Sequence, residues 1–367
     1  MKKIIISIIV IGLLLMTSIV NVDNSVAEEV YEEINSVRGN TIIGFDDWDI
    51  IVDDDGGGHY TSVQDAIDAA WPGCRILVKS GTYGKITVNK PDLTIHGEDK
   101  ETTIIDGGGG SKNDVVGIRS NGINISGFTL QNSGDGAYHD DWPAGIDTRS
   151  SYNTITDNKI RNNARGIYLI GSHTIISGNI ITNSIFDGID VPDGSSNLTI
   201  TNNTIRNVEY FLVNDGIHLY HVHSSIISLN KISKQYVGID LTCGNDNIFS
   251  ENIIENCIDT GLLIIGESDY NVIYHNNLKN NLQNTFDNTK LYDRFNNKWY
   301  NPELKEGNYY DNYRGFDIFR PRGIGDLPYL IRPLLIIIAE VINLDRYPLM
   351  NPYDGGVVVH NQQISCI

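Results

Sequence analysis

The chain has 367 residues, with 27 basic residues against 46 acidic ones and a formal net charge of −19. Such a field excludes an ordinary nucleic-acid binder, which presents a basic stripe; it suits a neutral glycan, a cation, an acidic polymer bridged by metal, or plain solubility. Four cysteines, Cys74, Cys243, Cys257 and Cys366, are too few for a disulfide scaffold and lack a zinc spacing. Cys243 and Cys257 fall in successive repeats, where a bridge and two free thiols are equally compatible.

Taken from the start, two lysines precede an apolar run from Ile4 to Val20, and Ser25-Val26-Ala27 offers a small-residue cleavage site. This predicts a signal peptide over residues 1–27, with an uncleaved anchor as the alternative. No other segment is apolar enough to span a membrane, so the expected location is secreted, periplasmic or cell-surface. Residues 28–46 are acidic and patternless, and read as a linker. Thr61-Ser62-Val63-Gln64 has the form of a capping box, and Val63, Ala66, Ile67 and Ala70 follow with helical spacing up to Pro72-Gly73. Strand-like runs begin immediately after, at Ile76–Val78, Ile86–Val88, Leu93–Ile95 and Thr103–Ile105.

From about Asn153 to Leu278 one phrase recurs: Asn-x-Ile, a polar turn, then Gly-Ile-x-Leu. The Asn returns at Asn158, Asn179, Asn203, Asn230, Asn252 and Asn276. The Gly returns at Gly145, Gly166, Gly188, Gly216, Gly238 and Gly261, at spacings of 21, 22, 28, 22 and 23 residues. A period of this size, with short alternating Ile/Val/Leu runs and no helix between them, predicts one turn of a parallel β-helix per repeat. Ile160, Ile167, Ile189, Ile205, Ile217, Ile232 and Ile239 should then stack as inward columns. The Asn are expected to hold left-handed corners by hydrogen-bonding along their column, and the Gly to supply corner angles. The fold class is therefore all-β: a single right-handed parallel β-helix of about ten turns over residues 47–296, capped by the short helix and by an irregular tail over residues 297–367.

Three stretches carry a resemblance. The opening HYTSVQDAIDAA and GCRILVKSGTYGKITVNKPDLTIHGEDKETTIIDG resemble the start of pectin-lyase-like proteins. The repeats are similar to the β-helix module of carbohydrate-binding proteins and sugar hydrolases. The tail motifs, Asn297-Lys298-Trp299, GNYYDNY at 307–313, GIGDLPY at 323–329 and DRYPLMNPY at 345–353, are similar to the end of NosD-like proteins. The NosD-like resemblance implies a periplasmic β-helix protein tied to maturation of the copper enzyme nitrous oxide reductase. It carries over no catalytic residues: the Arg and calcium-binding Asp of pectate lyases are missing, and so is the polygalacturonase set. Asp140-Asp141 is a bare carboxylate pair.

The repeat itself points to a site. In Gly-Ile-x-Leu the x position faces outward, and reading it rung by rung yields Asp147, Tyr168, Asp190, His218, Asp240 and Leu263. Two residues further along come Arg149, Ile170, Pro192, Tyr220, Thr242 and Ile265. With rungs ~4.8 Å apart, the first set forms a ladder ~20 Å long. His218, Asp190, Asp240 and Tyr168 are the candidate catalytic residues, with Asp190 and Asp240 raising the pKa of His218. Asp147, Arg149, Arg165 and Tyr220 are the candidate substrate contacts. A solvated acidic face accounts for the same pattern.

No metal ligand is assigned. His218, His221, His223 and His173 form a copper-type or zinc-type alternative, and Asp53-Asp54-Asp55-Gly56 a calcium-type one, so calcium and copper are compatible cofactors without a specific motif. The expected function is binding of a polysaccharide, with lyase, epimerase or hydrolase activity open. The alternative is a non-catalytic NosD-like protein or surface scaffold.

Overall fold

A computed structural model describes residues 48–110, 114–134, 143–207, 214–289, 296–318, 320, 323–331 and 343–354. Apart from Trp48, these belong to the unit Asp49–Ile367. The segments expected to be a signal peptide and linker, Asp140-Asp141, Cys366 and most of the far tail lie outside the described residues.

The described chain winds into a right-handed parallel β-solenoid of about nine turns, close to the ten expected. Three parallel sheets of ten, nine and ten strands run its length, and a two-stranded antiparallel ribbon, Tyr329–Ile331 with Asn343–Asp345, lies in the tail. Each turn contributes one strand to each sheet, because three short β-branched runs separated by polar corners are all a repeat contains. The inward Ile columns are as expected: Ile160, Ile167, Ile189, Ile217, Ile232 and Ile239 are fully buried, and Ile205 nearly so. Stacking them in register places apolar side chain on apolar side chain at every rung, which the β-branched shape favours.

The Asn hydrogen-bond along their column as expected, but the left-handed bend and the reason for the Gly differ from expectation. The Asn column is a buried hydrogen-bonded ladder: each side-chain oxygen accepts from the main-chain N–H and the side-chain amide of the Asn one rung before, as from Asn179 to Asn203 (3.0 Å each) and from Asn203 to Asn230 (3.0 Å each). The left-handed bend, however, belongs to the residue before each Asn, at Asp157, Asn202, Leu229, Glu251 and His275. The repeat Gly is likewise not in the left-handed region. It is needed because a Cβ at Gly216 would lie 2.4 Å from Ile232 Cγ2 and 2.5 Å from the Gly238 carbonyl, so the demand is for space.

The N-terminal helix spans Val63–Ala69, one residue shorter at its start than the capping-box reading. Ser62, not Thr61, is the N-cap and accepts the Asp65 N–H, while Gln64 turns away to bond Asp68 and Thr87. The helix buries Val63, Ala66 and Ile67. At the other end the coil runs on through Gln283–Asp287 and into Tyr309–Tyr310, the second of which lies in the stretch expected to be an irregular tail. The tail motifs close it. Asn308 receives the Asn ladder from Asn276, and Asp345 accepts in turn from the Asn308 N–H (2.7 Å) and the Tyr310 hydroxyl (3.2 Å). Trp299 donates its indole N–H to buried Asp287 (2.9 Å). Cys74, Cys243 and Cys257 are free thiols, so the Cys243–Cys257 bridge does not form. Among the described residues no helix is long and apolar enough to cross a membrane.

Candidate functional site

The nine-stranded sheet carries the outward ladder. Its strands Ala144–Thr148, Arg165–Leu169, Ile189–Val191, Asp215–Tyr220, Val237–Thr242 and Thr260–Ile265 bring Asp147, Tyr168, Asp190, His218, Asp240 and Leu263 into one register column. Adjacent Cα partners follow the predicted order rung by rung.

The column is not the solvated face that outward pointing suggested. Asp190 is 2% exposed and Asp147 4%, because long side chains from neighbouring positions fold over them. Arg165 Nε forms an ion pair with Asp190 Oδ2 at 2.9 Å, and His218 Nδ1 lies 3.0 Å from Asp190 Oδ1. Both Asp190 oxygens are thus engaged by nitrogen. Asp147 is held by Arg119 Nη2 at 2.7 Å and by Arg149 Nε at 3.2 Å. The Arg165 and Arg149 guanidiniums lie 4.6 and 5.5 Å from the centre of the Tyr168 ring, which pins the ring beneath two cations. Tyr220 remains exposed and packs on His221. Asp240 accepts from the Thr242 hydroxyl at 3.0 Å.

A second outward column was missed. The repeat Gly and the Ile after it both face the core, so alternation is broken at the corner and the residue before the Gly points out again. That position reads Asp114, Ala144, Arg165, Asp187, Asp215 and Val237 along the sheet. Here acidic residues do meet: Asp187 and Asp215 occupy successive rungs, whereas in the first column Tyr168 or His218 stands between each pair of Asp. The Asp187 carboxylate accepts the Asp215 main-chain N–H at 2.8 Å, as Asp114 accepts that of Ala144 at 2.9 Å. One oxygen or nitrogen from each of Asp187, Asp190 and His218 lies within 4.8 Å of the others.

Crowding of carboxyls under partial cover sets the protonation. Burial, then the Asp190 charge, pushes Asp187 up to about 7. Burial, then Asp187 and Asp240, pushes Asp215 up to about 8. Burial alone would lower His218, but the hydrogen bond to Asp190 and the charges of Asp187, Asp190 and Asp240 outweigh it and raise it to about 9. Asp240 is raised by burial, against the pull of His218. Around neutral pH the site therefore holds an imidazolium beside carboxyl groups that retain protons. Asp114, near Asp147, is raised to about 6, again chiefly by burial.

The remaining candidate histidines do not converge. His173 stacks on Tyr152, His221 lies against Tyr220, and His223 Nδ1 accepts the Asn245 N–H.

Comparison with known proteins adds the following. The family described as periplasmic copper-binding protein (NosD) matches residues 76–315. No curated protein matches. Similar solved structures include an alginate lyase from Paenibacillus sp. str. FPU-7 (14% identity, TM-score 0.40, covering 67% of this chain and 93% of that one). They also include a pectin methylesterase from carrot (15%, TM-score 0.38, 65% and 84%) and pectate lyase Pel9A (16%, TM-score 0.41, 70% and 65%).

Copper is ordinarily held by imidazole and sulfur ligands. Among the described residues the groups that could gather around an ion are Asp187–Asp190–His218 and Asp53–Asp54–Asp55. The first offers a single imidazole, with Asp190 already bound on both oxygens; the second offers none. These donors do not fit copper, and no chemical step is routed through it. The sequence match nonetheless runs over well over half of the chain, across nearly the whole solenoid, and the chain belongs to the NosD family of periplasmic copper-binding proteins.

Proposed function

We propose that the chain binds a linear polysaccharide along the outward face of the nine-stranded sheet and cleaves it by acid-assisted hydrolysis. The observation that carries this reading is the convergence of Asp187, Asp190 and His218 donor atoms within 4.8 Å on that face, with Asp215 tied to Asp187. A long flat sheet face matches an extended polymer, and Tyr220 stands exposed to stack on a sugar ring.

Hydrolysis suits the site better than β-elimination or epimerisation. Those reactions need a base to take a carbon-bound proton, and His218 already carries one at neutral pH. In the hydrolytic step, the protonated member of the Asp187–Asp215 pair gives its proton to the glycosidic oxygen as the C–O bond breaks. The bonding electrons leave with that oxygen. The ionised member and Asp240 face the developing positive charge. Water adds to the sugar carbon and returns a proton to the pair. Arg165 and His218 engage the two Asp190 oxygens and fix the cluster; Tyr168 and Arg149 shape its neighbouring rung, with Asp147 as their anchor.

The test is a glycan array probed with the purified chain, followed by assay of reducing ends on every bound polymer. Binding with release of reducing ends is expected. Family membership favours a second reading, a non-catalytic protein of copper-enzyme maturation; that reading predicts no glycan binding.

A further inference from the structure

We infer that Tyr152, His173 and Asn197 form an accessory sugar-stacking platform that takes the flat face of a pyranose ring, on the corner that follows the site sheet. The inference rests on the glycan reading above, and it adds a second contact surface that the outward ladder does not include.

The corner begins where strands Ala144–Thr148 and Arg165–Leu169 end. One position recurs in a left-handed conformation on each rung there: Asp92, Gly122, Tyr152, His173, Asn197, Ser224, Asp246 and Tyr270. Five of these are Asp, Gly, Asn or Ser, types that tolerate or commonly supply such a bend. Tyr152 (φ 63°), His173 (φ 57°) and Tyr270 (φ 55°) are the ring-bearing exceptions, and the first two lie on adjacent rungs. A bulky side chain in this region is strained, and such strain persists only where surrounding contacts over-determine it.

Those contacts are visible. The Ser151 hydroxyl accepts the Ser172 N–H at 3.0 Å, and the Ser172 hydroxyl accepts the Ser196 N–H at 3.0 Å. The corner residues themselves donate their N–H groups to the next rung, Tyr152 to the Ser172 carbonyl and His173 to the Ser196 carbonyl, each at 3.0 Å. This rail sets the left-handed angles and throws both rings outward. They stack nearly parallel, with centroids 4.7 Å apart and planes 17° apart, and Tyr152 is 60% exposed. The Asn197 amide reaches His173 Nε2 at 3.3 Å and the Ser196 hydroxyl at 3.4 Å.

The result is an exposed two-ring stack, with Tyr152 at its outer end and the Asn197 amide and Ser196 hydroxyl along its edge beyond His173. A sugar chain presents the complement, a pyranose C–H face for the Tyr152 ring and hydroxyls for the polar edge of the stack. A purely apolar partner would leave the polar edge of the stack unmet.

The experiment measures affinity for an array-positive polysaccharide with the native chain, Tyr152→Gly and Tyr152→Phe. Glycine is at ease at φ 63°, so Tyr152→Gly folds and keeps or raises its melting temperature. It should bind long chains about three- to tenfold more weakly, and Tyr152→Phe should bind as the native protein does. His218→Ala, away from the platform, should leave this difference intact. Equal affinity of Tyr152→Gly and native protein overturns the platform while leaving the site reading standing. Failure of the native chain to bind any polysaccharide overturns both.

Discussion

The Asp187 carboxylate accepts the main-chain N–H of Asp215 at 2.8 Å, so two acidic residues on successive rungs are locked together beneath the His218–Asp190 pair. A parallel ladder cannot separate them: register alone sets the spacing at ~4.8 Å. Asp187 therefore raises the proton affinity of Asp215, while Asp187 itself is raised by burial and the Asp190 charge, and the chemistry of the site follows from that crowding.

Stability should fall as pH rises. Asp187 and Asp215 hold protons up to about 7 and about 8, against an unfolded value of ~3.9. His218 does so up to about 9, against ~6.5. In each case the folded state binds more protons than the unfolded one between the two values, so the slope of unfolding free energy with pH is negative there. The carboxyl contribution is complete below pH ~4 and lost by pH ~8; the imidazole contribution is lost between ~6.5 and ~9. Urea midpoints measured from pH 5 to 9 should decline, and Asp215→Asn, which cannot ionise, should flatten that decline. A midpoint that climbs over this range contradicts the protonation scheme.

Removing the Asp190 charge should lower the His218 titration. Asp190→Asn deletes the negative partner 3.0 Å from Nδ1, and an NMR titration of the imidazole should show its midpoint below that of the native chain. The same change leaves Arg165 without its carboxylate and should cost about 1–3 kcal/mol in unfolding free energy. An unchanged titration would mean that the bond carries no charge.

Neighbouring residues should behave oppositely. Ile217 is fully buried, and Ile217→Ala should cost about 2–5 kcal/mol through the cavity it leaves. The side chain of His218 is 28% exposed, and His218→Ala should cost less than about 2 kcal/mol while removing turnover. Denaturant melts of the two variants, run beside activity assays, check the contrast.

Adding one methyl group at a repeat glycine should disrupt the stack. Gly216→Ala places a carbon 2.4 Å from Ile232 Cγ2 and 2.5 Å from the Gly238 carbonyl, whereas Gly84→Ala meets nothing within 4 Å. The first should lose about 1–3 kcal/mol or more through overpacking, and the second should lie within about 0.5 kcal/mol of the native chain. Comparable melts for both would place the glycine requirement elsewhere.

Much of the architecture was legible because a solenoid repeats its contacts. The Ile columns, the x-position ladder and its register came from alternation alone. What alternation could not show was its own failure at the Gly corner, where two successive residues face inward. That break hid Asp187 and Asp215, although the signal was present as Asp-Gly-Ile-Asp and Asp-Gly-Ile-His in consecutive repeats. The Asn ladder was legible, but the left-handed bend was assigned one residue late and the Gly was given the wrong cause, since residue type does not reveal whether a position needs a backbone angle or room. Burial of Asp147 and Asp190 depends on how Arg119, Arg149 and Arg165 fold over the face, a matter of long rotamers and not of pattern.

The most direct test of the central claim is the rate of reducing-end release from an array-positive polysaccharide by the native chain, Asp187→Asn and Asp215→Asn, with binding measured in parallel. The account predicts that the native chain cleaves, and that each variant binds within a few-fold of it yet cleaves about 10²–10⁴-fold more slowly. Native-like cleavage by both variants, or a native chain that binds polymer and never cuts it, would contradict the account.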